Sequence, residues 1–211
     1  DKDMNIEANE KLLETEGCKK LFERLYGRDG EENRERYRGV LSGYRKTFGD
    51  GEVKLFTSAG RTEIAGNHTD HNHGKVLAGS INLDCVSAAG KTDKDEIHII
   101  SETFHQDLVI DLKDLEPSSR YAGTMDLTKG IIRGFQEKGY QVGGFNAYVT
   151  SNVIASAGVS SSASYEMLIC SILNELYNDG KIDVVAYAHI GKYAENVYWK
   201  KASGLMDQMA C

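Results

Sequence analysis

Apolar residues recur among charges at helical spacing in the first 50 positions, alternate with polar ones in short runs through the middle, and return to helical spacing near the end. Over 4–26, Leu12, Leu13, Leu21, Phe22 and Leu25 predict a helix that Gly27 ends. A second, charged helix is predicted over 31–48. Residues 53–57 read as a short strand and 75–88 as another, with a polar loop between them. The β-rich runs 96–101 and 107–111, a few polar residues apart, form a hairpin pattern. A connector with the only proline, Pro117, leads to a helix over 125–138, and 145–153 alternates as a half-buried strand. The last two helices are expected over 162–177, with Leu168, Ile172, Leu173 and Leu176 at helical spacing, and over 183–201, with Asp183 near its start. Strands come early and helices late, with hairpins rather than regular βαβ units. That order favours an α+β domain over 51–211, preceded by a helical N-terminal extension over 1–50.

Composition narrows the function classes. The 211 residues are 40% hydrophobic and 27% charged, as in an ordinary globular unit, and carry a net charge of −7. An acidic chain of this kind lacks the concentrated basic surface that a nucleic-acid binder needs. Cys18, Cys85, Cys170 and Cys211 are scattered without a CxxC pair, so neither a zinc cage nor a disulfide framework is indicated, and free thiols suggest a cytoplasmic setting. No apolar run reaches the roughly 20 residues that span a bilayer, and the polar N-terminus has no signal-peptide profile, so no membrane partner is expected. The chain opens on Asp1 and stops at Cys211 just after a motif, with no helix-terminating signal, which reads as an excised fragment.

Three segments carry candidate chemistry. Ser151-Asn-Val-Ile-Ala-Ser-Ala-Gly-Val-Ser-Ser-Ser-Ala-Ser164 joins a strand to a helix through small residues, so backbone N–H groups and the positive end of the helix are available to a phosphate. A serine-rich N-cap on an ordinary helix explains the same residues, and no Gly-Lys-Ser/Thr ends the turn as in a Walker A loop. Gly60-Arg-Thr-Glu-Ile-Ala-Gly-Asn-His-Thr-Asp-His-Asn-His-Gly74 packs a cation, acids and imidazoles into one loop. Arg61 suits developing phosphoryl charge, and His68 with Asp70 offers a donor and an acceptor for sugar hydroxyls. His68, Asp70, His71 and His73 are also capable metal ligands, and a solvated polar turn accounts for the loop as well. Ser203-Gly-Leu-Met-Asp-Gln208 sets the carboxylate of Asp207 after a glycine, and Glu195 lies twelve residues upstream. One acid can take an alcohol's proton and another can hold Mg²⁺; a surface turn is the plainer reading.

In this order, the three segments resemble the N-terminal part of the galactokinases, members of the GHMP family of small-molecule kinases that also holds homoserine and mevalonate kinases. The likeness runs from about residue 55 to the end. The signature Gly-Arg-Val-Asn-Leu-Ile-Gly-Glu-His-Thr-Asp-Tyr-Asn stands here as Gly60-Arg-Thr-Glu-Ile-Ala-Gly-Asn-His-Thr-Asp-His-Asn72. The phosphate loop stands as Ile154-Ala-Ser-Ala-Gly-Val-Ser-Ser-Ser-Ala163, and Gly-x-Met-Asp-Gln with its upstream Ala-Glu as Gly204-Leu-Met-Asp-Gln208 and Ala194-Glu195. The resemblance implies a mixed sheet with helices (ribosomal S5-like) and a C-terminal domain absent from this chain. It also implies MgATP-dependent phosphorylation of the anomeric hydroxyl of galactose, with the 211-residue chain alone inactive. Asp207 and Arg61 would be catalytic. Asn67, His68, Asp70 and Gly204 would hold the sugar, while Gly158, Val159, Ser160, Ser161, Ser162 and Ala163 would cradle the ATP phosphates. Ser162 and Glu195 would bind Mg²⁺.

The departures are specific. Asn67 replaces the family's sugar-binding glutamate, His71 its tyrosine and Glu63 its asparagine. Ile154 and Ser156 replace the leading proline and one glycine of the phosphate loop, and Ser156 adds a Cβ where backbone approaches phosphate. The Trp-x-Asn-Tyr-x-Lys-Gly stretch that lines the adenine pocket corresponds to Thr124-Met-Asp-Leu-Thr-Lys-Gly130, with Thr124 and Leu127 at the two aromatic positions. These changes keep two alternatives open: a kinase of another sugar or small alcohol, and a non-catalytic sugar or nucleotide sensor.

Overall fold

A computed structural model describes residues 4–58, 85–103, 105–117, 123–152 and 159–199. Three N-terminal helices come first: α1 (Ile6–Leu13), α2 (Glu16–Tyr26) and α3 (Gly30–Phe48), the last two joined by a 3₁₀ turn at Gly27–Asp29. The single helix expected over 4–26 is in fact two. Thr15 interrupts it: its hydroxyl donates to the Leu12 carbonyl at 2.7 Å and accepts the Cys18 N–H at 3.2 Å, ending one helix and capping the next. Gly27 ends α2 as expected, at φ +60°, where a side chain would be strained.

A five-stranded sheet follows, built from β1 (Lys54–Thr57), β2 (Cys85–Lys91), β3 (Glu96–Ser101), β4 (Gln106–Asp111) and β5 (Phe145–Ser151) in the order β1-β2-β5-β3-β4. Pairings are antiparallel except β3 with β5, which run parallel with α4 (Thr124–Glu137) in the connection between them. The sheet is therefore mixed. Of the strand expected over 75–88, the described part lies in β2, which runs on to Lys91, where small residues suit a strand buried on both faces. Residues 75–84 lie outside the described residues.

Alternation along the strands sorts two cores. Val86 and Ala88 of β2, with Val53 and Leu55, face the N-terminal helices and pack with Ile6, Phe22, Tyr37 and Leu41. Cys85 and Ala89 of β2, with Phe145, Ala147 and Val149 of β5 and Ile97 and Ile99 of β3, face the opposite way. There they meet α4, α5 (Val159–Tyr177) and α6 (Val184–Ala194). Asp183 caps α6 by accepting the Val185 N–H at 2.9 Å. The last helix, expected over 183–201, changes character at Glu195, where the α-helix gives way to a π-helical turn, Glu195–Trp199. Packing explains the change: Ala194 and Tyr198 both bed against Gly130 of α4. None of the described helices is long and apolar enough to cross a membrane.

Candidate active site

Two of the three motif segments leave the described fold at adjoining points. The loop that carries Arg61, Asn67, His68 and Asp70 departs after Ser58 and returns at Cys85, and these two residues are tied together. The Ser58 N–H donates to the Cys85 carbonyl at 2.9 Å and the Cys85 N–H to Ser58 Oγ at 2.8 Å. The segment holding the small-residue turn departs from the end of β5, where Cys85 pairs with Ser151 and its thiol donates to Ser151 Oγ at 3.4 Å. Thr103, just past β3, braces that strand end: its hydroxyl donates to the Ser151 carbonyl at 3.2 Å and accepts the Ser151 N–H at 2.8 Å. Two loops distant in sequence thus emerge side by side at one end of the sheet.

Arg61, Asn67, His68, Asp70, Gly158, Gly204 and Asp207 lie outside the described residues, as do His71 and His73 of the metal reading. Val159, Ser160, Ser161 and Ser162 form the first turn of α5, and Ala163 follows on an exposed position. The helix therefore starts three residues before the expected 162, which sets the serines inside its N-terminal turn. Unbonded N–H groups and the positive dipole end are concentrated there. Thr124 and Leu127 lie in the first turn of α4, where Leu127 is buried in the core. Thr128 links α4 to α5: its hydroxyl donates to the Thr124 carbonyl at 2.6 Å and shares a 2.7 Å hydrogen bond with the Tyr165 hydroxyl. Burial chiefly holds the Tyr165 hydroxyl's pKa well above the usual phenol range, with the nearby Cys85 thiol adding to the effect and the Thr128 hydrogen bond opposing it.

Glu195, the described member of the expected Mg²⁺ pair, opens the π turn and is partly exposed. Its neighbour is a carboxyl that periodicity did not single out, Glu166, on the second turn of α5. Glu166 is buried, 8% exposed, and is hydrogen-bonded to Glu195. Burial chiefly, then the hydrogen bond and the negative charge of Glu195, push Glu166 up to about 9. A lone acid heading the largely apolar run Met167-Leu-Ile-Cys-Ser-Ile-Leu173 was the available signal, since helical spacing sets Glu166 on the same face as the core residues Ile169, Cys170 and Leu173. Among the described residues, no group of three or more His, Cys, Asp or Glu side chains converges as a metal cluster. Glu195 thus sets a partly exposed carboxylate near the second turn of α5, and a carboxylate oxygen is the kind of hard donor that could hold Mg²⁺.

Comparison with known proteins gives this arrangement a lineage. A family model described as the galactokinase galactose-binding signature matches residues 42–91, and one described as the GHMP kinases N-terminal domain matches 126–211. The chain is 33% identical over 165 residues to a galactokinase of Clostridium tetani, a match covering 78% of this chain and 42% of the relative. It is 35% identical over 153 residues to a galactokinase of Pyrococcus furiosus, covering 72% and 42% respectively. The chain thus spans less than half the length of the curated relatives it matches. In fold it is similar to the crystal structure of Lactococcus lactis galactokinase complexed with galactose, with a TM-score of 0.57 and 24% identity, over 74% of this chain and 41% of that one. The chain belongs to the GHMP kinase family, where its relatives are the galactokinases.

Proposed function

We propose that this chain supplies the sugar- and nucleotide-binding half of a galactokinase, which transfers the γ-phosphoryl group of ATP to the anomeric oxygen of galactose. The observation that carries the reading is the side-by-side departure of the two motif loops at Ser58/Cys85 and Ser151, next to the serine-rich first turn of α5. Catalysis of this kind is mostly positioning and charge stabilisation, which such a convergence provides.

In the reaction, Asp207 accepts the anomeric hydroxyl proton as that oxygen bonds to the γ-phosphorus and the bond to the ADP oxygen breaks. Arg61 neutralises charge on the attacking oxygen and the transferring group. His68, Asp70, Asn67 and the Gly204 backbone hold the sugar, and Gly158 through Ala163 cradle the phosphates with backbone N–H groups. Ser162 and Glu195 would hold Mg²⁺, which when bound offsets phosphate charge.

The test is ADP release by the full-length protein across galactose, N-acetylgalactosamine and related hexoses. Galactose is expected to give the highest kcat/KM; no turnover with any hexose would refute the reading. The second reading, a kinase for another sugar or small alcohol, draws on Asn67 and His71, and a different preferred substrate in the same panel would establish it.

A further inference from the structure

We infer that Ser58 and Thr103 are positioning residues: each closes the sheet with its hydroxyl where a motif loop departs, and with Cys85 and Ser151 they set the alignment of sugar and phosphoryl donor. The inference rests on the proposed function, in which one loop holds the sugar and the other the ATP phosphates.

The four residues form one row across an end of the sheet, in the order of its strands: Ser58 just past β1, Cys85 on β2, Ser151 on β5 and Thr103 just past β3. The regular pairing of β1 with β2 ends at Thr57 and Val86. One residue on, the Ser58 N–H still donates to the Cys85 carbonyl at 2.9 Å, but the Cys85 N–H is taken by Ser58 Oγ at 2.8 Å. The hydroxyl stands where the carbonyl of a continuing strand would, which frees the backbone to turn away. The same device closes β5 on its other side. The Glu102 N–H reaches the Val149 carbonyl at 3.0 Å, and the chain turns at Glu102 and Thr103. Two residues farther along β5, the Thr103 hydroxyl serves both backbone groups of Ser151, accepting its N–H at 2.8 Å and donating to its carbonyl at 3.2 Å.

Between these closures lies the pair of Cys85 with Ser151. The backbone groups of Cys85 turn toward Ser58 and those of Ser151 toward Thr103, which makes them a non-hydrogen-bonded pair, the kind whose side chains lie closest. The Cys85 thiol donates to Ser151 Oγ at 3.4 Å. Ser58 and Cys85 are buried, so water does not replace what Ser58 Oγ supplies. The row therefore joins both stems of the loop that carries Arg61 and His68 to the stem of the loop that carries Gly158. Its effect falls on the alignment of the two ligands rather than on the grip of either loop, and transfer between two bound groups depends steeply on that alignment.

The experiment is steady-state kinetics of the full-length protein with ATP and the hexose it turns over fastest, each varied, for Ser58→Ala, Thr103→Val and Thr103→Ser. Ser58→Ala and Thr103→Val are expected to lower kcat about tenfold or more while each KM stays within about threefold of the parent, because misalignment acts on the transition state rather than on binding. Thr103→Ser keeps the hydroxyl and should keep kcat within about twofold. Thr103 is exposed and valine matches its shape, so Thr103→Val folds and decides the matter even where Ser58→Ala melts low. Unchanged kcat in Thr103→Val, a rise in either KM at unchanged kcat, or a loss in Thr103→Ser as large as in Thr103→Val would each overturn the inference. No turnover of any hexose by the unaltered protein would overturn the proposed function and this inference with it, whereas full activity in both hydroxyl-free variants overturns this inference alone.

Discussion

Gly130 of α4 and Ala194 of α6 are packed so closely that a Cβ on Gly130 would fall 2.8 Å from the Ala194 Cβ and 3.0 Å from the Tyr198 ring. Helix α4 thereby sets where the π turn begins, and with it the place of Glu195. Gly130→Ala is expected to cost roughly 1–3 kcal/mol through overpacking, seen as a lower urea midpoint. It should also weaken nucleotide-dependent Mn²⁺ binding, because the Ala194 backbone must move. A stable variant with normal Mn²⁺ binding would show that the contact has slack.

Asn174 ties α5 to the start of α6. Its buried Nδ2 donates to the Tyr187 hydroxyl at 2.7 Å and to the Ile182 carbonyl at 3.2 Å, while its Oδ1 accepts the Ile182 N–H at 3.0 Å. Asn174→Ala strands these buried partners and should lower stability by roughly 1–3 kcal/mol or more. Differential scanning calorimetry checks this; a change of less than one degree would contradict it.

Removal of α1–α3 would expose Val86, Ala88, Leu55 and Tyr148 on one face of the sheet. A chain lacking residues 1–48 is therefore expected to aggregate on expression, since a bare apolar sheet face is an association site. Recovery of a soluble, folded protein from that truncation would contradict the expectation.

Proton linkage at Glu166 has a definite sign in the metal-free protein. Its ionisation is raised from 4.5 to about 9, mainly by burial, so the folded state keeps a proton that the unfolded chain releases above 4.5. The stabilising contribution is complete below that value and is lost as pH rises toward about 9. In chelator, the parent should lose stability relative to Glu166→Gln as pH is raised across this window. Parallel denaturation midpoints for the two proteins would refute the shift.

Asp207→Asn in the full-length protein is expected to lower kcat by about 10²–10⁴ with little change in the KM for galactose, because a general base acts in the transition state rather than in binding. Steady-state kinetics decides this. A large rise in KM at unchanged kcat would reassign Asp207 to sugar binding.

Much of the fold was legible because periodicity reflects burial on one face. The hairpin runs 96–101 and 107–111 became β3 and β4 with boundaries shifted by one residue at most, since alternating Ile97 and Ile99 have only one core to face. The split at Thr15 was harder to read: a hydroxyl in a helical run caps or passes unnoticed depending on backbone that the pattern does not encode. The π turn after Ala194 was invisible for a related reason, because it arises from a fit against Gly130 on another helix.

The sequence by itself determined the family and the candidate chemistry. Arg61, Asp207 and the serine-rich turn are local strings whose order is preserved along the chain, and local strings need no coordinates to be read. Only the tertiary structure decided which distant residues act together. The pairing of Glu166 with Glu195 across 29 positions depends on how α5 packs against α6. That is a property of two surfaces meeting, and no periodicity along a single segment records it.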